Sequence, residues 1–209
     1  MSSVASALPQ ASTHRREVME FGMWVFLTTE TLFFGVLFFA YLIMRLRYAD
    51  GFAAAGRHTD MLLGTLNTAV LLTSSVTMAL AVAAVKLGRA RLCVALLMAT
   101  LALGVVFLAI KGYEYRVDYV EHLFPGQGFR GSGPPGFETF FWLYFVMTGF
   151  HSLHLVIGVA LLAFMGARLW RRGMAAQSPA SIANAGLYWH FVDIVWIFMY
   201  PALYLIARS

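Results

Sequence analysis

The chain has 209 residues, of which 60% are hydrophobic and 12% are charged, and its mean hydropathy is +0.73. A soluble domain of this length does not need such a composition, so we expect a membrane protein. The formal charge of +5 does not indicate nucleic-acid binding, because the basic residues cluster in short loops between apolar runs. The single cysteine, Cys93, excludes an intrachain disulfide framework and a CxxC metal motif within these residues.

Five apolar runs are long enough to cross a bilayer, which requires about 20 helical residues. The predicted spans cover about residues 21–44, 61–85, 92–110, 139–169 and 185–207. Residues 1–19 are small, polar and basic, and we expect a flexible N-terminal tail. Residues 20–209 are then predicted to form a single all-α domain, a polytopic membrane bundle of five transmembrane helices.

The loops between the spans set the predicted orientation. Residues 86–91 and 168–172 contain basic residues and no acid, whereas the loops at the other end of the bundle mix both signs. The positive-inside rule therefore predicts a cytoplasmic N-terminus and a periplasmic C-terminus. Five glycines and three prolines fall between Pro125 and Gly136, and we expect residues 111–138 to form an irregular loop.

Several polar residues fall inside the predicted spans, where an ionised group costs at least about 2.5 kcal/mol unless it is paired, neutral or functional. The candidate site residues are Glu30, Asn67, His151, His154, His190 and Asp193. His151 and His154 share one helical face, which should point into the bundle and not at lipid. We expect them to be neutral and to hydrogen-bond to the second span, where the available polar groups are Asn67, Thr73, Ser74 and Ser75.

Two further interpretations concern charge inside the bundle. Glu30 is either a proton-exchanging or lipid-contacting carboxyl, or a protonated acid that holds one interhelical hydrogen bond. His190 and Asp193, three residues apart, are predicted to pair on one helical face.

A metal site is the alternative interpretation of the histidines. Two imidazoles one turn apart could chelate, and adding Glu30, Glu114, His190 and Asp193 gives a partial likeness to a di-iron bundle. The Glu-x-x-His pairs of such bundles are missing from the spans, so hydrogen bonding is favoured over metal binding. The sequence is less consistent with a transporter, because it shows neither paired repeats nor broken helices.

Four stretches spread over the spans carry a family resemblance. They are WVFLTTETLFFGVLFFAYL around Glu30, LNTAVLLTSSVTMALA at 66–81, YFVMTGFHSLHLVIG at 144–158 and YWHFVDIVWIFMY at 188–200, and KGYEY at 111–115 also fits. With these motifs the chain resembles subunit III of the haem–copper oxidases, the cytochrome c oxidase subunit III family. It is similar to the short bacterial form, which has five helices instead of seven.

The resemblance implies an accessory subunit of an aerobic respiratory oxidase in the bacterial inner membrane. Such a subunit packs on subunit I, within a complex that includes subunit II and other subunits, and carries no haem, copper or other metal itself. Haem and copper are expected in the partner subunits. The resemblance also implies bound phospholipid, support of proton uptake and protection of the oxidase during turnover. Glu30 matches the family's carbodiimide-reactive membrane acid, while the other candidates match motif positions that have no assigned chemical step.

The chain departs from the seven-helix members by lacking their first two helices, which form one wall of a lipid cleft. Either another subunit replaces this wall or the groove stays open. The alternatives are a subunit III-like component of a quinol oxidase or nitric oxide reductase complex, or a self-contained metalloenzyme built on Glu30, His151, His154 and His190. The Glu30 motif and the DYVEHLFPG loop favour an oxygen-reducing complex.

Overall fold

The computed structural model describes residues 7–126, 128–172 and 178–205, with backbone alone at 7–16 and 172. The helices in these ranges are α1 (Ala7–Arg47), α2 (Ala49–Gly56), α3 (Met61–Lys86), α4 (Ala90–Val120), α5 (Phe137–Arg172) and α6 (Pro179–Tyr200). A π-helical turn, Pro201–Leu205, continues α6, and no strand occurs in the described ranges. Five of these helices are long and apolar enough to span a membrane. The predicted all-α fold and its five spans are confirmed, while the orientation in the membrane stays a prediction.

The bounds of two helices differ from the predicted spans. Helix α1 begins at Ala7, so helical backbone occupies part of the region predicted as a tail, whose flexibility stays a prediction. Helix α4 continues ten residues past Ile110, so the start of the predicted irregular loop is wrong. The reason is spacing: Lys111, Glu114 and Asp118 recur on one helical face, and all three are buried. Charged residues here extend the helix instead of ending it.

Local sequence explains where two spans begin. The Asp60 carboxylate accepts hydrogen bonds from the backbone N–H groups of Leu62 and Leu63 at 2.9 and 3.1 Å, which caps α3. The Ser178 hydroxyl accepts from Ser181 N–H at 3.1 Å, and Pro179 occupies the first turn of α6. Both caps satisfy backbone donors that a helix leaves unpaired at its start.

Helices α3, α4, α5 and α6 surround the core, and α1 packs on α5 and α6 from outside. Two fully buried tryptophans of α6 fill the centre. The Trp189 indole N–H donates to the Ser74 hydroxyl at 3.1 Å, and the Trp196 indole N–H donates to the Thr68 hydroxyl at 3.0 Å. Each large ring therefore has its one polar atom satisfied by α3.

Glycine on α4 makes room for Trp189, and this predicts opposite effects at two positions. A Cβ at Gly104 would lie 2.8 Å from Trp189 Cη2, whereas a Cβ at Gly112 would meet no atom within 4 Å. We expect Gly104→Ala to destabilise the protein by about 1–3 kcal/mol through overpacking. Gly112→Ala should stabilise it by up to about 1 kcal/mol through helix propensity. Unfolding of the detergent-solubilised protein measures both, and equal effects would contradict the packing described.

Candidate functional site

Glu30 of α1 and His154 of α5 contact each other in the interior of the membrane-spanning region. Glu30 Oε2 lies 3.0 Å from His154 Nε2, and the two side chains are only 20% and 13% exposed. The other ring nitrogen, His154 Nδ1, lies 2.8 Å from the backbone oxygen of Phe150. The Tyr188 hydroxyl donates to the His154 backbone oxygen at 2.9 Å, so α1, α5 and α6 all meet here.

These contacts fix the number of protons at the pair. A backbone carbonyl only accepts hydrogen bonds, so His154 Nδ1 must carry a hydrogen and donate it to Phe150. One further proton must then lie between His154 Nε2 and Glu30. The pair is either imidazolium with carboxylate or imidazole with carboxylic acid, and it has no net charge in both cases. This explains how a carboxyl is accommodated at a position where a lone charge would be costly.

Aromatic rings enclose the Glu30–His154 pair. The Phe34 ring meets the His154 imidazole edge-on with 5.2 Å between centroids, and Phe33 packs on Phe150 at 5.0 Å. Phe34 is buried, whereas Phe33 and Phe150 reach the surface of the bundle. The low polarity of this environment strengthens the hydrogen bond and makes loss of either partner costly. The rim remains partly open, because the His154 and Glu30 side chains keep 13% and 20% of their exposure.

His190 does not pair with Asp193 as predicted. His190 Nδ1 lies 2.8 Å from the Ser75 hydroxyl, so the imidazole is directed across to α3. The Asp193 carboxyl also lies near Ser75, but neither of its oxygens has a hydrogen-bond partner in the described part of the chain. The predicted pair is wrong because spacing along one helix does not determine toward which neighbouring helix each side chain turns.

His151 is fully buried and serves the packing of α5 on α6. Its Nε2 donates to the Val192 backbone oxygen at 3.2 Å, and its ring packs against Phe107 and Trp196 with centroid separations of 5.5 and 5.1 Å. The Nδ1 atom has no partner among the described residues. One donated hydrogen bond and one unpaired ring nitrogen are what a neutral histidine would show. The hydrogen bond, however, goes to the backbone of α6 and not to a side chain of α3.

Asn67 and its neighbours on α3 do not bind the two histidines of α5, so that prediction is wrong. Asn67 is fully buried, and neither polar atom of its side chain has a partner within the described ranges. Thr73 donates to the Ala69 backbone oxygen, and Ser74 accepts from Trp189. Of the second-span residues considered, Ser75 alone contacts a histidine, His190.

The arrangement of the imidazoles does not fit a shared metal. His151 turns to the backbone of α6 and His154 turns to Glu30 on α1, so their nitrogens do not converge on one position. In the part of the chain that the structure describes, no group of three or more His, Cys, Asp and Glu side chains could hold an ion. The assignment of haem and copper to partner subunits stays a prediction.

A buried ionic cluster lies in the C-terminal third of α4, and the sequence reasoning missed it. Lys111 Nζ lies 2.8 Å from Glu114 Oε2, and these residues are 2% and 3% exposed. Lys111 Nζ also donates to the hydroxyls of Tyr144 and Tyr204 at 2.9 and 2.6 Å. Both hydroxyls in turn donate to Glu114 Oε1, at 2.9 and 2.6 Å. Every strong donor of the cluster is thus satisfied, which is the condition under which a buried ion pair is tolerated.

The cluster joins three parts of the fold. Lys111 and Glu114 come from α4, Tyr144 from α5 and Tyr204 from the π-helical turn. The available signal was the KGYEY motif, whose Lys and Glu are three residues apart. The predicted third span ends at Ile110, so both residues fall within the predicted loop, where a pair of opposite charges does not indicate burial.

Comparison with known proteins accounts for this set of features. The chain matches the family profile described as Cytochrome c oxidase subunit III over residues 4–208.

The chain belongs to the cytochrome c oxidase subunit III family.

Two relatives match over nearly their whole length. The chain is 35% identical over 202 residues to Cytochrome c oxidase subunit 3 of Thermostichus vulcanus, which covers 95% of this chain and 94% of that protein. It is 30% identical over 199 residues to Probable quinol oxidase subunit 3 of Staphylococcus aureus (strain USA300), which covers 93% of this chain and 92% of that protein. Both relatives are therefore close to this chain in length.

Family membership and the five spans make this chain an integral membrane protein and a subunit III of a haem–copper oxidase. A subunit III works in a complex with other oxidase subunits. The Glu30–His154 pair, the His190–Ser75 contact and the Lys111–Glu114 cluster are therefore features of a subunit whose outer surface meets both lipid and protein.

Proposed function

We propose that this subunit III is an accessory component of an oxygen-reducing oxidase of the cytochrome c oxidase type in the bacterial inner membrane. It packs on subunit I, and subunits I and II carry the haem and copper. The match over residues 4–208 and the 35% identity to a cytochrome c oxidase subunit 3 support this assignment. A quinol oxidase is the second candidate, supported by the 30% identity to a probable quinol oxidase subunit 3.

The observation that carries the proposed role is the Glu30–His154 hydrogen bond of 3.0 Å. The pair holds one shared proton inside the membrane-spanning region and remains partly exposed between α1 and α5. A carboxyl and an imidazole are the side chains best suited to exchange a proton. We therefore assign the pair a role in sustaining proton uptake by the oxidase.

Lipid binding is the second part of the proposal. Large apolar side chains of α1 are exposed along its outer face, among them Leu32, Val36 and Phe39. Because α1 packs on α5 and α6 from outside, this face is available to acyl chains or to a partner subunit. We place a bound phospholipid along α1 next to the Glu30–His154 pair.

Purification of the tagged chain from its own membranes tests the assignment to a complex. The expected product is a complex with a haem absorption spectrum that consumes oxygen while oxidising cytochrome c. Oxidation of quinol but not of cytochrome c would favour the second candidate. Reduction of nitric oxide without oxygen consumption, or purification of the chain free of any haem subunit, would contradict the proposal.

A further inference from the structure

A groove runs along the outer surface between α4 and α5, at the end of the bundle where α4 begins and α5 ends. Two adjoining depressions of about 630 and 450 Å³ form it, and they share Met98 and Trp170. We call it the α4–α5 groove. Residues of α1 do not line either depression, so it is a different surface from the one that holds the Glu30–His154 pair.

Small side chains leave this space open. The walls include Ala95 of α4 and Ala163, Gly166 and Ala167 of α5. A Cβ added at Gly166 would meet only Met98 Sδ, at 3.8 Å. Apart from the arginines at one end, the residues that line the groove are therefore mostly apolar and leave room for an apolar ligand. The described part of this chain leaves it unfilled.

Two arginines stand at the same end of the groove. Arg91 lines the larger depression and Arg171 lines the smaller one, and both side chains are exposed. The segments 86–91 and 168–172 contain no acid. Among the described residues no salt bridge involves either guanidinium. Trp170, which is 77% exposed, lies beside them as an aromatic group typical of the membrane–water interface.

We propose that the α4–α5 groove binds an anionic phospholipid. The headgroup phosphate is held by Arg91 and Arg171, and one acyl chain lies along the apolar floor over Met98. Guanidinium groups bind phosphate oxygens through charge-assisted, often bidentate, hydrogen bonds. The excess of positive charge at the mouth of an apolar groove is complementary to a lipid that is anionic at one end and apolar at the other. The site is independent of the Glu30–His154 pair, so its failure would leave the proposed function in place.

Native mass spectrometry of the purified oxidase complex with added phosphatidylglycerol or phosphatidylcholine tests the site. The wild type should bind phosphatidylglycerol in preference to phosphatidylcholine. The double variant Arg91→Gln/Arg171→Gln should bind phosphatidylglycerol at least about tenfold more weakly, because both charge-assisted contacts to the phosphate are lost. The matched control is Lys86→Gln/Arg89→Gln, which removes the same charge at the same end of the bundle from residues outside the groove. It should bind as the wild type does.

A second variant keeps the charges and fills the groove. Gly166→Leu projects an apolar side chain toward Met98, and we expect it to displace the acyl chain and lower phosphatidylglycerol binding while the complex stays assembled. Equal losses in the double variant and its control would show a general surface-charge effect and overturn the proposal. Loss of a partner subunit from Gly166→Leu with unchanged lipid content would show that protein occupies the groove. Equal binding of the two lipids by the wild type would also overturn it.

Discussion

Glu114→Leu is expected to destabilise the protein by about 3–5 kcal/mol and to lower its accumulation in the membrane severely. Glu114 accepts hydrogen bonds from Lys111, Tyr144 and Tyr204 in a buried site. Removing the carboxylate leaves the Lys111 ammonium without its counter-charge and leaves two tyrosine hydroxyls without their acceptor. The amount of folded protein and its thermal midpoint in detergent measure the effect.

A double-mutant cycle separates the charge from the packing. Lys111→Met should cost nearly as much as Glu114→Leu, because the carboxylate is then left unpaired. The combined Lys111→Met/Glu114→Leu variant should recover much of the stability, since an apolar pair can replace a buried ion pair at small cost. Arg116→Met, at an exposed position on the same helix, is the control and should change stability by less than about 0.5 kcal/mol. A Glu114→Leu protein as stable as wild type would contradict the buried ion pair.

Glu30→Gln is expected to leave the haem spectrum and assembly of the oxidase unchanged while shortening its lifetime during turnover several-fold. The glutamine amide can donate to His154 Nε2, so the bond between α1 and α5 is preserved. The amide has no exchangeable acidic proton, so the proposed proton exchange is lost. Oxygen consumption followed until the enzyme inactivates gives the lifetime, and phospholipid content is measured on the same samples.

Two further variants make this test specific. Glu17→Gln, an exposed position on the same helix, should behave as wild type. Glu30→Leu removes both the hydrogen bond and the proton, and it should in addition loosen α1 from α5. If the Glu30→Gln oxidase stays active during turnover for as long as the wild type, while the Glu30→Leu oxidase fails to assemble, the role of the pair is structural only. Loss of haem from Glu30→Gln would mean that its proposed role is wrong.

The spans were predictable because the length of an apolar run and the high cost of exposing backbone to lipid leave few alternatives to a helix. The sequence also indicated which polar residues must be buried between helices and kept away from lipid. It did not indicate their partners. Whether His154 meets Glu30 or a residue of α3 depends on how each helix is rotated and packed, and spacing along one helix carries no information about that. His190 illustrates the point, since its nearest sequence candidate was Asp193 and its partner is Ser75.

The Lys111–Glu114 cluster shows a second limit. Hydropathy ends a span at the first charged residue, so it predicts that the third span ends at Ile110. The helix continues because two tyrosine hydroxyls from distant parts of the chain satisfy the charges. A prediction based on local polarity cannot detect that tertiary contacts neutralise such charges. A periodic pattern of charges just beyond a span therefore indicates a longer helix with a buried ionic face.

A density map of the oxidase complex purified through this chain would show which subunit ligates each redox centre. We expect haem and copper ligated by other subunits, with this chain packed beside them and the Glu30–His154 pair enclosed between α1 and α5. Haem or copper ligated by His151, His154 or His190 of this chain would contradict it.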